Sequence, residues 1–189
     1  MNEATYCLFD SPIGRCGIAW RQARDGNAAW LVTSFQLPEA APQTTESRIA
    51  RNSGARNASG PPPHIRAIIE RVYKHLQGEL QDFRDVRVDL DGVSPFVREV
   101  CEAARKIPAG QTVTYRDLAA ALGHPAAARA VGRALGKNPI PLLIPCHRVQ
   151  ATNGRPGGFS AHGGRATKAR LLAIEGVTVN LWLELPSDP

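Results

Sequence analysis

Three short apolar-rich runs open the chain. Thr5 to Asp10, Arg15 to Arg21 and Ala28 to Phe35 read as strands, set apart by the turn signals Ser11-Pro12-Ile13-Gly14 and Asp25-Gly26-Asn27, and a small antiparallel sheet is their natural product. The pattern then lapses. Residues 36 to 63 are rich in Pro, Ala, Ser, Asn and Gly, with room for a short helix near Thr44 to Arg51 and then an exposed, mobile loop from Asn52 to Pro63. From Ile65 the spacing becomes helical: Ile65, Ile68, Ile69, Val72 and Leu76 share one stripe of a helix that ends at Gly78, and Val86 to Leu90 forms a further strand.

Past Leu90 the helical spacing dominates. Ser94 and Pro95 begin a helix whose Val97, Val100, Cys101 and Ala104 face inward. Thr114 followed by Asp117 is a capping-box pair, Gly123 is placed to end that helix, and Pro125 suits the first turn of the next, so residues 114 to 137 predict helix, turn, helix. On the second helix Ala128, Val131 and Leu135 gather on one face, and Ala126, Arg129, Ala130, Arg133 and Lys137 on the other. Small alanines beside arginines let a helix backbone approach a polyanion closely, as a helix entering a DNA groove must.

Charge adds to this picture. Residues 91 to 176 hold 12 Lys and Arg against 5 Asp and Glu, a surplus of +7, whereas residues 1 to 90 carry +1 and the remainder −2. The surplus lies with the helix-turn-helix and favours a partner bound through its phosphates. No basic and apolar leader opens the chain and no run approaches membrane-spanning length, so a reducing cytoplasm is expected and the four cysteines are not read as a disulfide framework. Cys101 belongs to a core stripe. Cys7 and Cys16, in strands, could join His64 and His75 in a zinc site, but their spacing matches no compact zinc pattern, and neither metal nor cofactor is expected.

One segment carries chemistry. In Asn138-Pro139-Ile140-Pro141-Leu142-Leu143-Ile144-Pro145-Cys146-His147-Arg148-Val149 a nucleophile, a base and a cation close an apolar run whose prolines stiffen the backbone. A thiol attacks as its thiolate, which a neighbouring base or cation must supply, and His147 and Arg148 are placed to help. Glu175 stands where a helix running from about Arg165 ends before Gly176; the macrodipole disfavours an anion there, and that cost implies a reason.

Taken together, Ser94-Pro95-Phe96, Ile107-Pro108-Ala109-Gly110, Thr114-Tyr115, Ala128-Arg129-Ala130-Val131-Gly132, Asn138-Pro139, Pro145-Cys146-His147-Arg148-Val149 and Glu175-Gly176 resemble the O6-alkylguanine-DNA alkyltransferases, with the N-terminal part matching weakly. The resemblance implies an α/β N-terminal domain over 1–90, ribonuclease-H-like, and a mainly α, winged-helix-like domain over 91–189 that carries the helix-turn-helix. It implies a monomer that repairs O6-alkylguanine in double-stranded DNA by moving the alkyl group irreversibly onto Cys146. The nucleotide must first be rotated out of the stack. By resemblance Arg129 fills the gap, and Ala126, Ala127, Ala130, Arg133 and Tyr115 also meet DNA. Tyr115 presses on the rotated nucleotide's phosphate and donates to the guanine as it leaves.

In the same scheme His147 takes the thiol proton through a water, Glu175 orients the imidazole and Asn138 braces the turn before the nucleophile. The carbonyls of Cys146 and Val149 receive the guanine amine, Ser160 with neighbouring amides binds O6, and the loop from Asn153 to Gly164, with Phe159, walls the pocket. That loop departs from many relatives by extra residues before Gly157-Gly158, which leaves the pocket width open, and His162 either lines the pocket or is solvated. The alternative is a non-catalytic alkyltransferase-like lesion-binding protein, which would lack the nucleophile that Cys146 supplies. A cysteine hydrolase would turn over but would not need the groove-binding helix.

Overall fold

The computed structural model describes residues 3–23, 29–58, 60–152 and 157–178. Strand β1 (Thr5–Ser11) turns through Pro12-Ile13 into β2 (Gly14–Gln22), with Cys7 opposite Ile18 and Phe9 opposite Cys16. Strand β3 (Trp30–Gln36) adds antiparallel to β2, with a register shift at Ala19/Trp20. The turn expected at Asp25-Gly26-Asn27 lies outside the described residues.

The sheet expected to be antiparallel is mixed. Its order is β3-β2-β1-β4, and β4 (Arg56–Asn57) lies parallel to β1. The reason is α1 (Pro42–Ser53), longer than the expected short helix, which carries the chain back so that β4 runs in the same sense as β3 and β1. The segment expected to be a loop from Asn52 to Pro63 is largely exposed, yet it holds the end of α1, β4 and the start of α2 (Pro63–Leu76).

Alternation along the strands separates two faces. Tyr6 and Ala19 pack with Ile49 of α1, while Cys7, Cys16, Ile18 and Trp20 join the apolar cluster that includes Ile65, Ile68 and Val72 of α2. Val86 to Leu90 does not form the expected strand. A single bridge pairs Val88 with Val32, held by bonds from Val32 N to the Arg87 carbonyl and from Asp89 N to the Val32 carbonyl, because turns on either side stop the ladder from extending.

Ser94 caps α3 (Pro95–Arg105) by accepting from the Val97 amide, and Val97, Val100, Cys101 and Ala104 are buried on its inner face. The short pair β5 (Val113–Thr114) and β6 (Val149–Gln150) is parallel. Helix α4 (Tyr115–Ala121) starts on a complete capping box: the Asp117 amide donates to Thr114 Oγ1 at 3.0 Å and the Thr114 amide to Asp117 Oδ2 at 3.2 Å. Gly123 follows at φ +77°, a conformation that glycine adopts without strain.

Pro125 does not open α5 (Ala128–Leu135). It sits in a turn closed by the Ala127 amide on the His124 carbonyl at 2.8 Å, so its fixed φ serves the turn, and Ala126 and Ala127 precede the helix. Helix α6 (Arg165–Ile174) ends at Glu175. The same large apolar cluster runs from the sheet through α2, α3 and α5 to Leu171 of α6.

Candidate active site and nucleic-acid face

The nucleophile segment is shaped by its own backbone. Pro145 has φ −81° and ψ 64°, the values of an inverse γ-turn, and the Cys146 amide duly donates to the Ile144 carbonyl at 2.8 Å. Cys146–Arg148 then makes one 3₁₀ turn. Asn138 fastens the approach at two points: its Nδ2 donates to the Ile144 carbonyl at 2.9 Å, and its Oδ1 accepts from the Ile140 amide at 3.0 Å. Leu142, buried, holds φ +74°, a strained value for a side chain branched at Cγ.

Cys146 opens onto a cavity of about 680 Å³ whose lining includes Tyr115, Arg129, Arg133, Phe159 and Ser160. Five residues singled out in the sequence for DNA or pocket roles thus meet the nucleophile in one space. Arg129 and Arg133 are exposed and make no ion pair among the described residues, so their charges are free for an anion. Ala126, Ala127, Ala130 and Val149 do not line the cavity; Ala126 is exposed beside it in sequence, and the Val149 carbonyl accepts from Lys168 Nζ at 2.5 Å. Residues 153–156 of the loop lie outside the described residues. His162 sits 3.9 Å from Glu39 and lines a separate small cleft with Pro38 and Arg170, not the cavity at Cys146.

Behind the cysteine lies a buried polar group. His147 Nε2 is 2.9 Å from Glu175 Oε1, and neither side chain is exposed. The carboxylate can only accept from that nitrogen, which places the proton on Nε2 and leaves Nδ1 as the basic lone pair. Nδ1 is buried and has no hydrogen-bond partner among the described residues. Burial lowers the His147 pKa against the pull of Glu175, which keeps the ring neutral and able to take a proton. Burial also pushes the Cys146 thiol up, opposed by the Asn138 amide and by Lys168, so the resting group is a thiol that needs a base.

Arg148, expected to assist the thiol, is committed elsewhere. Its Nε and Nη2 reach Glu175 at 2.9 and 2.8 Å, and its Nη1 donates to the Ile107 carbonyl at 2.6 Å. Glu175 also accepts from the Gly110 amide at 3.2 Å and from His75 Nε2 at 3.0 Å. Burial opposes the charge on Glu175, but the donors His147, His75 and Arg148 outweigh it and hold the carboxylate far below its usual range. The macrodipole cost at the end of α6 is small beside such pairing.

Two residues of this site escaped the sequence reading. Lys168 is fully buried on α6, with Nζ 3.2 Å from the Tyr115 hydroxyl and 5.3 Å from its ring centre. Burial pushes its pKa down to about 8, with Cys146 opposing the shift. Its spacing was a usable signal, since Lys168, Leu171, Leu172 and Glu175 share one helical stripe. His75 likewise continues the apolar stripe of α2; weighed first as a zinc ligand, it uses both ring nitrogens in hydrogen bonds, to Glu175 and to the Gln81 amide.

Residues 95–177 match the family model of the 6-O-methylguanine DNA methyltransferase DNA binding domain. A methylated-DNA–protein-cysteine methyltransferase of Mycolicibacterium paratuberculosis is 37% identical over 90% of this chain and 91% of its own. Among solved structures, the Mycobacterium tuberculosis OGT in complex with DNA superposes with a TM-score of 0.70 at 32% identity, covering 90% of this chain and 92% of that one. The O6-methylguanine-DNA methyltransferase of Pyrococcus kodakaraensis superposes at 0.65 with 30% identity, covering 92% and 99%. Likeness of this degree along nearly the whole length makes the chain a member of the methylated-DNA–protein-cysteine methyltransferase family.

Proposed function

We propose that this protein repairs O6-alkylguanine in DNA by transferring the alkyl group to Cys146, once per molecule. The observation that carries the reading is the commitment of His147 Nε2 to Glu175, which leaves a buried Nδ1, without a partner among the described residues, one residue from a thiol that opens onto the cavity lined by Arg129 and Tyr115. His147 Nδ1 takes the thiol proton through a water molecule. The sulfur attacks the alkyl carbon, the bond from that carbon to O6 breaks, and the guanine leaves as its neutral base after receiving a proton from the Tyr115 hydroxyl. Lys168, hydrogen-bonded to that hydroxyl, stabilises the charge it acquires. The product is a thioether that no step of this chemistry reverses.

The remaining roles belong to the same proposal. Arg129 replaces the extruded nucleotide in the stack, Arg133 binds phosphate, and Ala126, Ala127 and Ala130 let the helix come close. Ser160 and Phe159 bound the guanine pocket, and the carbonyls of Cys146 and Val149 face its amine. The Val149 carbonyl has a second lone pair beyond the one Lys168 uses. The division near Leu90, into a ribonuclease-H-like sheet with α1 and α2 and a winged-helix-like unit built on α3 to α5, is supported by the distribution of strands and helices along the chain.

The test is intact mass after mixing with an O6-methylguanine oligonucleotide. Each molecule should gain one methyl group in place of one hydrogen, mapped to Cys146, with one lesion repaired per protein, and Cys146→Ala should bind DNA and repair nothing. Turnover by a substoichiometric amount of protein, or an adduct on Cys7, Cys16 or Cys101, would refute the reading. A lesion bound tightly and left intact by the parent protein would favour the non-catalytic alternative.

A further inference from the structure

His75 lies in the last turn of α2, in the part of the chain remote in sequence from the nucleophile, and is 1% exposed. Its Nδ1 accepts from the Gln81 backbone amide at 3.1 Å. An amide only donates, so the neutral ring keeps its lone pair on Nδ1 and its proton on Nε2, which faces Glu175 Oε1 at 3.0 Å. Phe83 fixes the plane of the ring edge-on, with centres 5.4 Å apart. Glu175 Oε1 therefore receives two imidazole N–H groups, His147 from the nucleophile turn and His75 from α2.

A third donor makes this pairing consequential. Arg148 offers Glu175 a fork, Nε to Oε2 at 2.9 Å and Nη2 to Oε1 at 2.8 Å, and such a fork alone draws a carboxylate square onto the guanidinium. The Gly110 amide restrains Oε2, and His75 restrains Oε1. We infer that His75 is a positioning residue for alkyl transfer: by donating from Nε2 to Oε1 of Glu175 it keeps that oxygen in line with His147 Nε2, and so fixes the tautomer and direction of the base. The inference rests on the relay of Cys146, His147 and Glu175 proposed above, and it brings the N-terminal part of the chain into the chemistry. Without His75 the carboxylate settles on Arg148, and His147 loses its orienting partner while the cavity and the DNA-facing helix stay as they are.

Two substitutions separate the two ring nitrogens. In His75→Gln the side-chain amide reaches the place of Nε2 and keeps a donor on Glu175. In His75→Asn the shorter amide reaches only the place of Nδ1, keeps the Gln81 bond and leaves Glu175 without its donor. Single-turnover alkylation of the full-length chain is measured with free O6-benzylguanine and with duplex DNA from pH 6 to 9, normalised to the folded fraction from circular dichroism. His75→Asn should slow both substrates alike by about ten- to a hundredfold at pH 7, the scale of losing a group that orients a ligand or base. The gap should begin to narrow only at the top of that range, as the pH passes the free thiol's pKa of roughly 8.5 towards the higher value that burial gives Cys146. DNA affinity should not move, and His75→Gln should stay within about threefold of the parent, because it keeps a donor on Glu175. Adding His75→Asn to Glu175→Gln should cost nothing further, since both act through one bond. Equal rates for the Gln and Asn variants, or losses that multiply with Glu175→Gln, would overturn the inference. A Glu175→Gln variant at the parent rate would instead bring down the relay itself.

Discussion

Lys168 carries an ammonium into a buried place, and its surroundings explain why it is tolerated: the Val149 carbonyl and the Tyr115 hydroxyl receive its protons, and Cys146 lies near enough to feel its charge. Replacing it with Met keeps the length and apolar stem but removes the donor to Tyr115. Lys168→Met should retain DNA binding and slow alkylation by at least about tenfold, less than the roughly 10²–10⁴ that a direct proton-transfer group contributes because Lys168 acts through Tyr115. A rate within twofold of the parent in single-turnover assays would deny Lys168 any part in the reaction. His147→Ala should slow transfer by about a hundredfold at pH 7 and recover only as the pH rises past roughly 8.5, the value of a free thiol, towards the higher value that burial gives Cys146; a flat deficit across pH would mean that the imidazole shapes the site without acting as base.

These residues were unequally legible. Cys146, His147 and Arg148 are contiguous, and their chemistry is plain from order alone, but order could not tell that Arg148 turns to Glu175 and away from the sulfur. Glu175 was noticed because it sits against the helix dipole. Its five donor groups come from four residues in three separate places in the sequence, which no local pattern displays. Lys168 and His75 both interrupt apolar stripes, and a polar residue inside such a stripe is the one signal that a single sequence offers for a buried partner.

At the scale of elements, α5 and the loop before α6 both wall the cavity, and the proposed function divides between them the work of reaching a base. Arg129 and Arg133 stand exposed on α5, both on the wall of the cavity. Arg129→Ala should impair repair of duplex DNA far more than alkylation by free O6-benzylguanine, because the free base needs no extrusion; equal losses would assign Arg129 to the pocket. Arg133→Ala should weaken binding to all sequences alike and reduce the slope of affinity against salt by about one. Gly157 has φ +68°, and a Cβ there would come within 2.9 Å of the Tyr115 ring and 3.1 Å of its hydroxyl. Gly157→Ala should therefore push Tyr115 aside and depress alkylation of free O6-benzylguanine, with a modest fall in melting temperature from a side chain held at positive φ; unchanged kinetics would show that the loop moves to make room. Elements with caps, such as α3 and α4, were readable to within a residue or two because their end signals are local. Val86 to Leu90 and Pro125 were misread for a shared reason: strand and proline signals state a backbone preference, and a turn satisfies that preference as well as a ladder or a helix start does.

Over the whole molecule, titration sets opposing trends in stability. Burial pushes Cys7 up to about 11 and Cys16 and Cys101 up to about 12, so the folded chain keeps three protons that the unfolded chain begins to release near 8.5. Their contribution is whole below that pH and is lost as the pH climbs towards the folded values. Lys168 acts in the other direction: with a folded value of about 8, below that of the unfolded chain, it adds stability between pH 8 and roughly 10.4. Each group changes stability by at most about 1.4 kcal/mol per pH unit, and these three thiols, joined by Cys146, which burial also pushes up, oppose one lysine, so the urea midpoint should fall above pH 9 and fall more steeply in Lys168→Met. A parent curve that stays level to pH 11 would show that these thiols are solvated. The same burial implies that Cys7, Cys16 and Cys101 in the native state resist thiol reagents at pH 8 and react once urea exposes them.

The bond between positions 75 and 175 closes a loop of a hundred residues, and that distance carries a meaning in time. A ribosome makes the nucleophile before it makes the carboxylate, and domains fold in the order in which they emerge. Between those moments the nascent chain exposes a cysteine with no oriented base, a thiol whose ordinary pKa leaves it mostly protonated and slow. A protein that can act only once is thereby kept from spending its single reaction before it is able to bind a lesion. Chains stalled just before Glu175 should take up no label from O6-benzylguanine, and labelling should begin only after α6 has cleared the ribosome.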